Sequence, residues 1–84
     1  MKWTVVWVSA ALDDLARAWT DAPDRQAVAD ASDAIDAQLL RHPYAVGESR
    51  AGAERILIVP PLVALYDIAN PDRLVTVRAV WRTR

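Results

Sequence analysis

Cysteine is absent from the 84-residue sequence and histidine occurs once, at His42. The first absence excludes a disulfide framework and a thiolate zinc site, and the second excludes an imidazole metal cluster. No metal or other cofactor is expected. Long apolar runs are also lacking. The most apolar stretch, RILIVPPLVALYDI over residues 55–68, is broken by Pro60 and Pro61 and bracketed by Arg55 and Asp67. A membrane-crossing helix needs about 20 mostly apolar residues without interior proline. The amino-terminal MKWTVVWVSAALDDLARAW reaches Asp13 and Asp14 before any long apolar region or small-residue cleavage site develops, so no signal peptide is read there and a cytoplasmic location is the expectation. Internal repeats and low-complexity tracts are missing, which leaves one domain over 1–84. A chain of this size buries about 60–65% of its unfolded surface, enough for a modest core. Further stability is expected from a partner.

The formal charge of −1 hides an asymmetry. Residues 1–46 set four cations against seven aspartates, whereas residues 47–84 set six arginines against four acids, with none after Asp72. The pattern suggests an acidic helical face and a basic carboxy-terminal strand.

WTVVWV, Trp3 to Val8, is rich in β-branched and aromatic residues and is read as a strand apolar on both faces, which suits a central position. Ser9 offers a helix N-cap, with Asp13 and Asp14 in the first turn, where the helix dipole favours negative charge. Leu12, Leu15, Ala16 and Trp19 form one apolar stripe, and Ala22-Pro23 ends the helix. A second helix runs from about Pro23-Asp24 to Leu40, with Val28, Ala31, Ile35 and Leu39 on one face, and Pro43 stops it. The short link between the two implies an antiparallel hairpin. From Gly47 the pattern turns to β: a loop holding Gly47 and Gly52, strands at about 55–59 and 63–68 joined by the diproline, a turn at NPDR, and a final strand from Leu74. In that strand Val75, Val77, Ala79 and Trp81 alternate with Thr76, Arg78, Val80 and Arg82. The fold class is α+β, in the order β-α-α-β-β-β, with the helical hairpin on one face of a small, mainly antiparallel sheet.

That order resembles the bacterial RelE/ParE superfamily, the toxic halves of type II toxin–antitoxin pairs. The resemblance is carried by the first strand entering a helical hairpin, GESR at 47–50, Arg55 opening a strand, Tyr66 in ALYDI, and VRAVWR in the last strand. It implies a growth-inhibiting toxin neutralised by a cognate antitoxin. One branch of the superfamily cleaves messenger RNA in the ribosome, which demands cations at the phosphate and a group that moves protons. The other inhibits DNA gyrase by binding. The sequence departs from the nuclease pattern at several places: Val63 stands nearest the usual arginine before the third-strand tyrosine, Trp81-Arg82 stands where many members have histidine–arginine, and the usual terminal tyrosine is missing.

The resemblance leaves Arg55, Arg78, Arg82, Glu48 and Tyr66 as catalytic candidates, and Arg50, Arg73, Arg84 and Trp81 as candidates for binding RNA or a partner. Plainer roles compete. Arg50 could close its loop against Glu48, Arg55 could pair with a helix aspartate, Tyr66 could be a core residue with a satisfied hydroxyl, and Arg78 and Arg82 could keep an uncovered strand face soluble. A net charge of −1 disfavours entry into an RNA-lined site. Two readings stand: a toxin directed at ribosomal messenger RNA or at gyrase, and a non-toxic or catalytically degenerate binding module on the same fold. A homodimer is a further partner option.

Overall fold

The computed structural model describes residues 3–83. The chain forms β1 (Thr4–Trp7), α1 (Ser9–Asp21), α2 (Arg25–Arg41), β2 (Glu48–Ser49), β3 (Glu54–Val59), β4 (Leu62–Ala69) and β5 (Leu74–Arg82). One sheet holds all five strands in the order β1-β5-β4-β3-β2. β1 runs parallel to β5 and the other pairings are antiparallel. The helices pack on one face, α1 chiefly over β5 and α2 over β1, β3 and β4. Among the described residues no helix is long and apolar enough to cross a membrane.

Three local expectations are corrected. β1 is an edge strand. Its apolar character has two causes: Val5 and Trp7 pack against the core, while Val6 points to the opposite, uncovered face and is 43% exposed. The helix α1 is capped by Val8, with no side-chain cap, and no acid lies in its first turn. Val8 donates its N–H to Val77 O at 3.1 Å and accepts the Leu12 N–H on its carbonyl, so the helix begins at Ser9, one residue earlier than expected, and Asp13 and Asp14 fall in its second turn. The GESR loop contains the two-residue strand β2, paired with Ile56 and Arg55, too short for any alternation to betray it.

The core lies between hairpin and sheet. Val28, Ile35 and Leu39 of α2 meet Leu62, Tyr66, Val75 and Val77, all 0% exposed. Each fully buried aliphatic side chain contributes about 1.5–3 kcal/mol. Ala11 and Ala18 let α1 approach β5 closely. Asp24 caps α2 by accepting the Ala27 N–H at 3.1 Å, and His42 ends it, with its own N–H donating to Gln38 O.

β5 does not alternate without interruption. Leu65 pairs with Ala79 but Tyr66 pairs with Val77, so Arg78 is the extra residue of a β-bulge. A bulge flips every following side chain to the other face. Val75, Val77, Val80 and Arg82 therefore face the helices, and Thr76, Ala79 and Trp81 face away, as their β4 partners confirm, with Arg78 on the same outer side through its bond to Asp67. Arg78 and Arg82, expected on one side of the strand, stand on opposite sides.

Candidate functional site

Arg55 and Tyr66 are cross-strand partners on β3 and β4, on the helix-facing side. Arg55 Nε donates to Tyr66 Oη at 3.3 Å, and its Nη2 donates to Tyr44 O at 2.9 Å and Gly47 O at 3.0 Å. Tyr66 Oη donates to Pro43 O at 2.8 Å. The pair thus fastens the segment between α2 and β2 to the sheet. Gly47 is required for this approach, since a Cβ there would lie 2.3 Å from Tyr66 Oη and 2.8 Å from Ile56 O. Tyr66 is 0% exposed, and both side chains aim their polar atoms at the protein's own backbone. Tyr66 is closed off from solvent, whereas Arg55 is half-buried.

Beside this network lies an arrangement that no local sequence run announces. Trp3 and Tyr44 meet edge to face at 5.7 Å between ring centroids, the Arg73 guanidinium sits 4.7 Å from the Trp3 ring, and that of Arg55 sits 6.0 Å from the Tyr44 ring. Asn70 Nδ2 donates to Tyr44 Oη at 2.8 Å. Arg73 occupies the NPDR turn with φ of 52° and its carbonyl accepts the Thr4 N–H at 2.8 Å. Cation–π contacts of this kind contribute about 0.5–2 kcal/mol, and here they join β1, the α2–β2 link and the β4–β5 turn.

The sheet face turned away from the helices is uncovered. Ile58 and Trp81 are 57% and 43% exposed there, with Ile56, Val63 and Leu65 between them. Glu48 projects from β2 at its edge, and Arg50, exposed on the following hairpin, bonds Glu54 O through its backbone N–H. No ion pair joins Arg50 to Glu48 among the described residues. Arg78 Nε donates to Asp67 Oδ2 at 2.5 Å, so the one arginine of β5 on this face already has a carboxylate. Of the expected site residues, Glu48, Arg78 and Trp81 share this face, whereas Arg55, Tyr66 and Arg82 do not. Arg82 lines a cavity of about 320 Å³ with Asp14, Arg17 and Asp21, and another of about 430 Å³ with Pro23, Pro60 and Pro61. Arg84 lies outside the described residues.

On the opposite side of the molecule a groove runs between the helices. Leu12, Leu15, Trp19 and Val28 line one cavity of about 340 Å³, and Trp7, Leu12, Leu15, Asp33 and Asp36 line its continuation of about 360 Å³. Leu12 and Trp19 are 51% and 44% exposed, and Arg25 sits 4.5 Å from the Trp19 ring. Trp7 Nε1 donates to Asp36 Oδ1 at 3.1 Å. The groove is apolar along its floor and acidic at one end.

This topology, a strand leading into a helical hairpin and then an antiparallel meander that returns β5 beside β1, matches solved structures over nearly the whole chain. The toxin–antitoxin complex RelBE2 from Mycobacterium tuberculosis matches with a TM-score of 0.80 and 20% identity, over 98% of this chain and 99% of that one. The chain has the RelE/ParE fold. The chromosomal ParDE toxin–antitoxin system of P. aeruginosa matches with a TM-score of 0.72 and 15% identity, over 98% and 97% of the two chains. The isolated E. coli RelE toxin matches at 0.70 and 10% identity, over 98% and 85%. No protein-family model and no curated protein matches the sequence.

Proposed function

We propose that this RelE/ParE-fold chain is the toxin half of a type II toxin–antitoxin pair and inhibits growth by binding its target, with its antitoxin held in the groove between α1 and α2. The observation that carries it is the presence of two partly exposed apolar surfaces, the hairpin groove and the outer sheet face, on a fold shared with chains solved as toxin–antitoxin complexes. The hairpin groove suits an amphipathic segment: apolar anchors meet Leu12, Leu15 and Trp19, and a cation meets Asp33 and Asp36. The sheet face suits a protein target, with an apolar centre and charges at its margin.

Cleavage of a phosphodiester asks for several cations and a proton-transfer group converging on one phosphate. Here Arg55 and Tyr66 are spent on the Pro43–Gly47 segment, Arg82 faces the helices, and Arg78 is paired with Asp67. The same Arg78–Asp67 pairing favours a second reading, a non-toxic binding module, because it neutralises a cation that a toxin could direct at its target. Induction of the chain in bacteria separates them. Growth arrest, relieved by co-expression of a small protein encoded beside it, supports the toxin. Arrest with intact message on purified ribosomes and impaired supercoiling supports inhibition by binding, whereas message cut in the decoding site overturns it. Normal growth with folded protein present overturns the toxin altogether.

A further inference from the structure

Residues paired across strands share a face, so the uncovered side of the sheet is patterned in rows that cross the strands. The row Ile58–Val63–Trp81 is apolar; the next, Ile56–Leu65–Ala79, is apolar and ends at Glu48; the third is Glu54–Asp67–Thr76, with the bulged Arg78 reaching Asp67 from between the second and third rows. β4 runs down the middle. To one side, on β5, stand a cation and an aromatic ring, Arg78 and Trp81. To the other, on β3, stand an aliphatic side chain level with Trp81, Ile58, and an anion, Glu54, level with Thr76 and with the Asp67 carboxylate to which the Arg78 side chain reaches.

We infer that this face is self-complementary and docks a second copy of the same chain, about a twofold axis running along β4. Such an axis lays β5 of each copy over β3 of the other. Arg78 then meets Glu54 and Trp81 meets Ile58, each contact made twice. The strands of the two copies stay aligned, which is one of the two ways sheets stack face to face, about 10 Å apart. Val63 and Leu65 fill the centre.

The charges fit this occupant better than a polyanion. Arg78 is bound to Asp67 through Nε only, and its side chain is 53% exposed, so both Nη groups are open to a second carboxylate. Asp67, near the axis, is neutralised by its own Arg78. Glu48, Glu54 and Asp67 stand against Arg50 and Arg78 on and around the face, which leaves no cation excess to draw phosphates. The strands β2 to β5, at about 3.3 Å per residue and about 4.8 Å between strands, present about 400 Å² per copy, and the combined area of about 800 Å² lies below that of stable specific interfaces. The dimer is accordingly weak and reversible. On the toxin reading, and only on it, the dimer is a masked form, since it covers the face assigned to the target.

Sedimentation equilibrium of the purified full chain, with no antitoxin or target present, tests the dimer apart from toxicity. A reversible monomer–dimer equilibrium in the micromolar to submillimolar range is expected, with the Trp81 indole N–H signal moving with concentration and that of Trp19 staying fixed. Arg78→Glu and Glu54→Arg each weaken association about tenfold or more, and the double exchange restores it. Ile58→Ser, at an exposed position that leaves the Arg78–Asp67 pair intact, abolishes the dimer with an unchanged circular dichroism spectrum. A monomer at every concentration overturns the inference, as does a dimer that shifts Trp19 instead, that survives Ile58→Ser, or that the double exchange fails to restore. Absence of growth arrest, by contrast, overturns the toxin reading and leaves the dimer standing.

Discussion

Asp14 of α1 accepts the Val80 backbone N–H of β5 through Oδ2 at 3.1 Å. This bond reaches across the junction of helix and sheet and holds the strand two residues beyond the bulge at Arg78. The other oxygen of the same carboxylate receives the Arg17 guanidinium, one turn along the helix. Asp14 therefore ties α1 to the part of β5 in which the faces exchange.

Removing that acceptor leaves a part-buried N–H without a partner. Asp14→Ala is expected to cost about 1–3 kcal/mol, measured as a lower urea midpoint with unchanged slope. Arg17→Ala, which removes only an exposed ion pair at 68% side-chain exposure, is expected to change stability by less than about 0.5 kcal/mol. Equal losses in the two variants would show that the ion pair, not the backbone bond, carries the effect.

The Arg55–Tyr66 network makes a second prediction. Gly47→Ala drives a methyl group into Tyr66 Oη and the Ile56 carbonyl, and overpacking of this kind costs about 1–3 kcal/mol. Tyr66→Phe strips the buried Pro43 carbonyl of its donor at a similar cost, about 1–3 kcal/mol. Both variants should raise amide hydrogen exchange selectively in residues 44–47, because the Pro43, Tyr44 and Gly47 carbonyls anchor the link between α2 and β2. Uniform acceleration over the whole chain would point to global destabilisation instead.

Much of this architecture was legible in the sequence. Val28, Ala31, Ile35 and Leu39 recur at helical spacing and are all buried, and the diproline and NPDR turns fall between strands as their backbone chemistry demands. The edge position of β1 was not legible, because Trp3 and Trp7 are apolar for different reasons: one packs beside Tyr44 and Arg73, the other under α2 with its indole bound to Asp36. Strand order is a long-range property that alternation does not encode. The bulge escaped for a related reason. LVTVRAVWR reads as smooth alternation, and only the pairing with β4 shows that Val80, not Ala79, continues the buried row. Among the candidate site residues, one bland expectation matches the geometry: Tyr66 is a core residue with its hydroxyl satisfied. The backbone clamp by Arg55 could not be read, since carbonyl acceptors leave no mark on residue identity.

The hairpin groove gives a prediction for the antitoxin. Trp19 and Leu12 are half-exposed, and the contact of Trp19 with Arg25 is an exposed cation–π pair of about 0.5–1 kcal/mol, so Trp19→Ala and Leu12→Asp should leave the thermal midpoint within about 8 °C of the wild type. Buried aromatic anchors at interfaces commonly carry about 2 kcal/mol or more. Titration calorimetry against the co-purifying partner should therefore show affinity reduced about 30-fold or more in either variant. Unchanged affinity in both would place the antitoxin on another surface.

Trp81 and Arg82 are neighbours in the chain and stand on opposite sides of the sheet, Trp81 across from Val63 on the uncovered face and Arg82 across from the buried Leu62. If the uncovered face meets the target, the two positions must differ in kind. Trp81→Ala removes a large, 43% exposed ring from the centre of that face and should relieve growth arrest on induction. Arg82→Ala removes a cation from cavities beside α1 and the diproline turn and should leave arrest intact at equal protein level. A nuclease with its cations on the final strand would behave in the opposite way, losing toxicity with Arg82 and tolerating the loss of Trp81. Growth curves for the two variants, normalised by immunoblot, thus decide which side of β5 does the work, and the bulge at Arg78 is what makes the comparison possible.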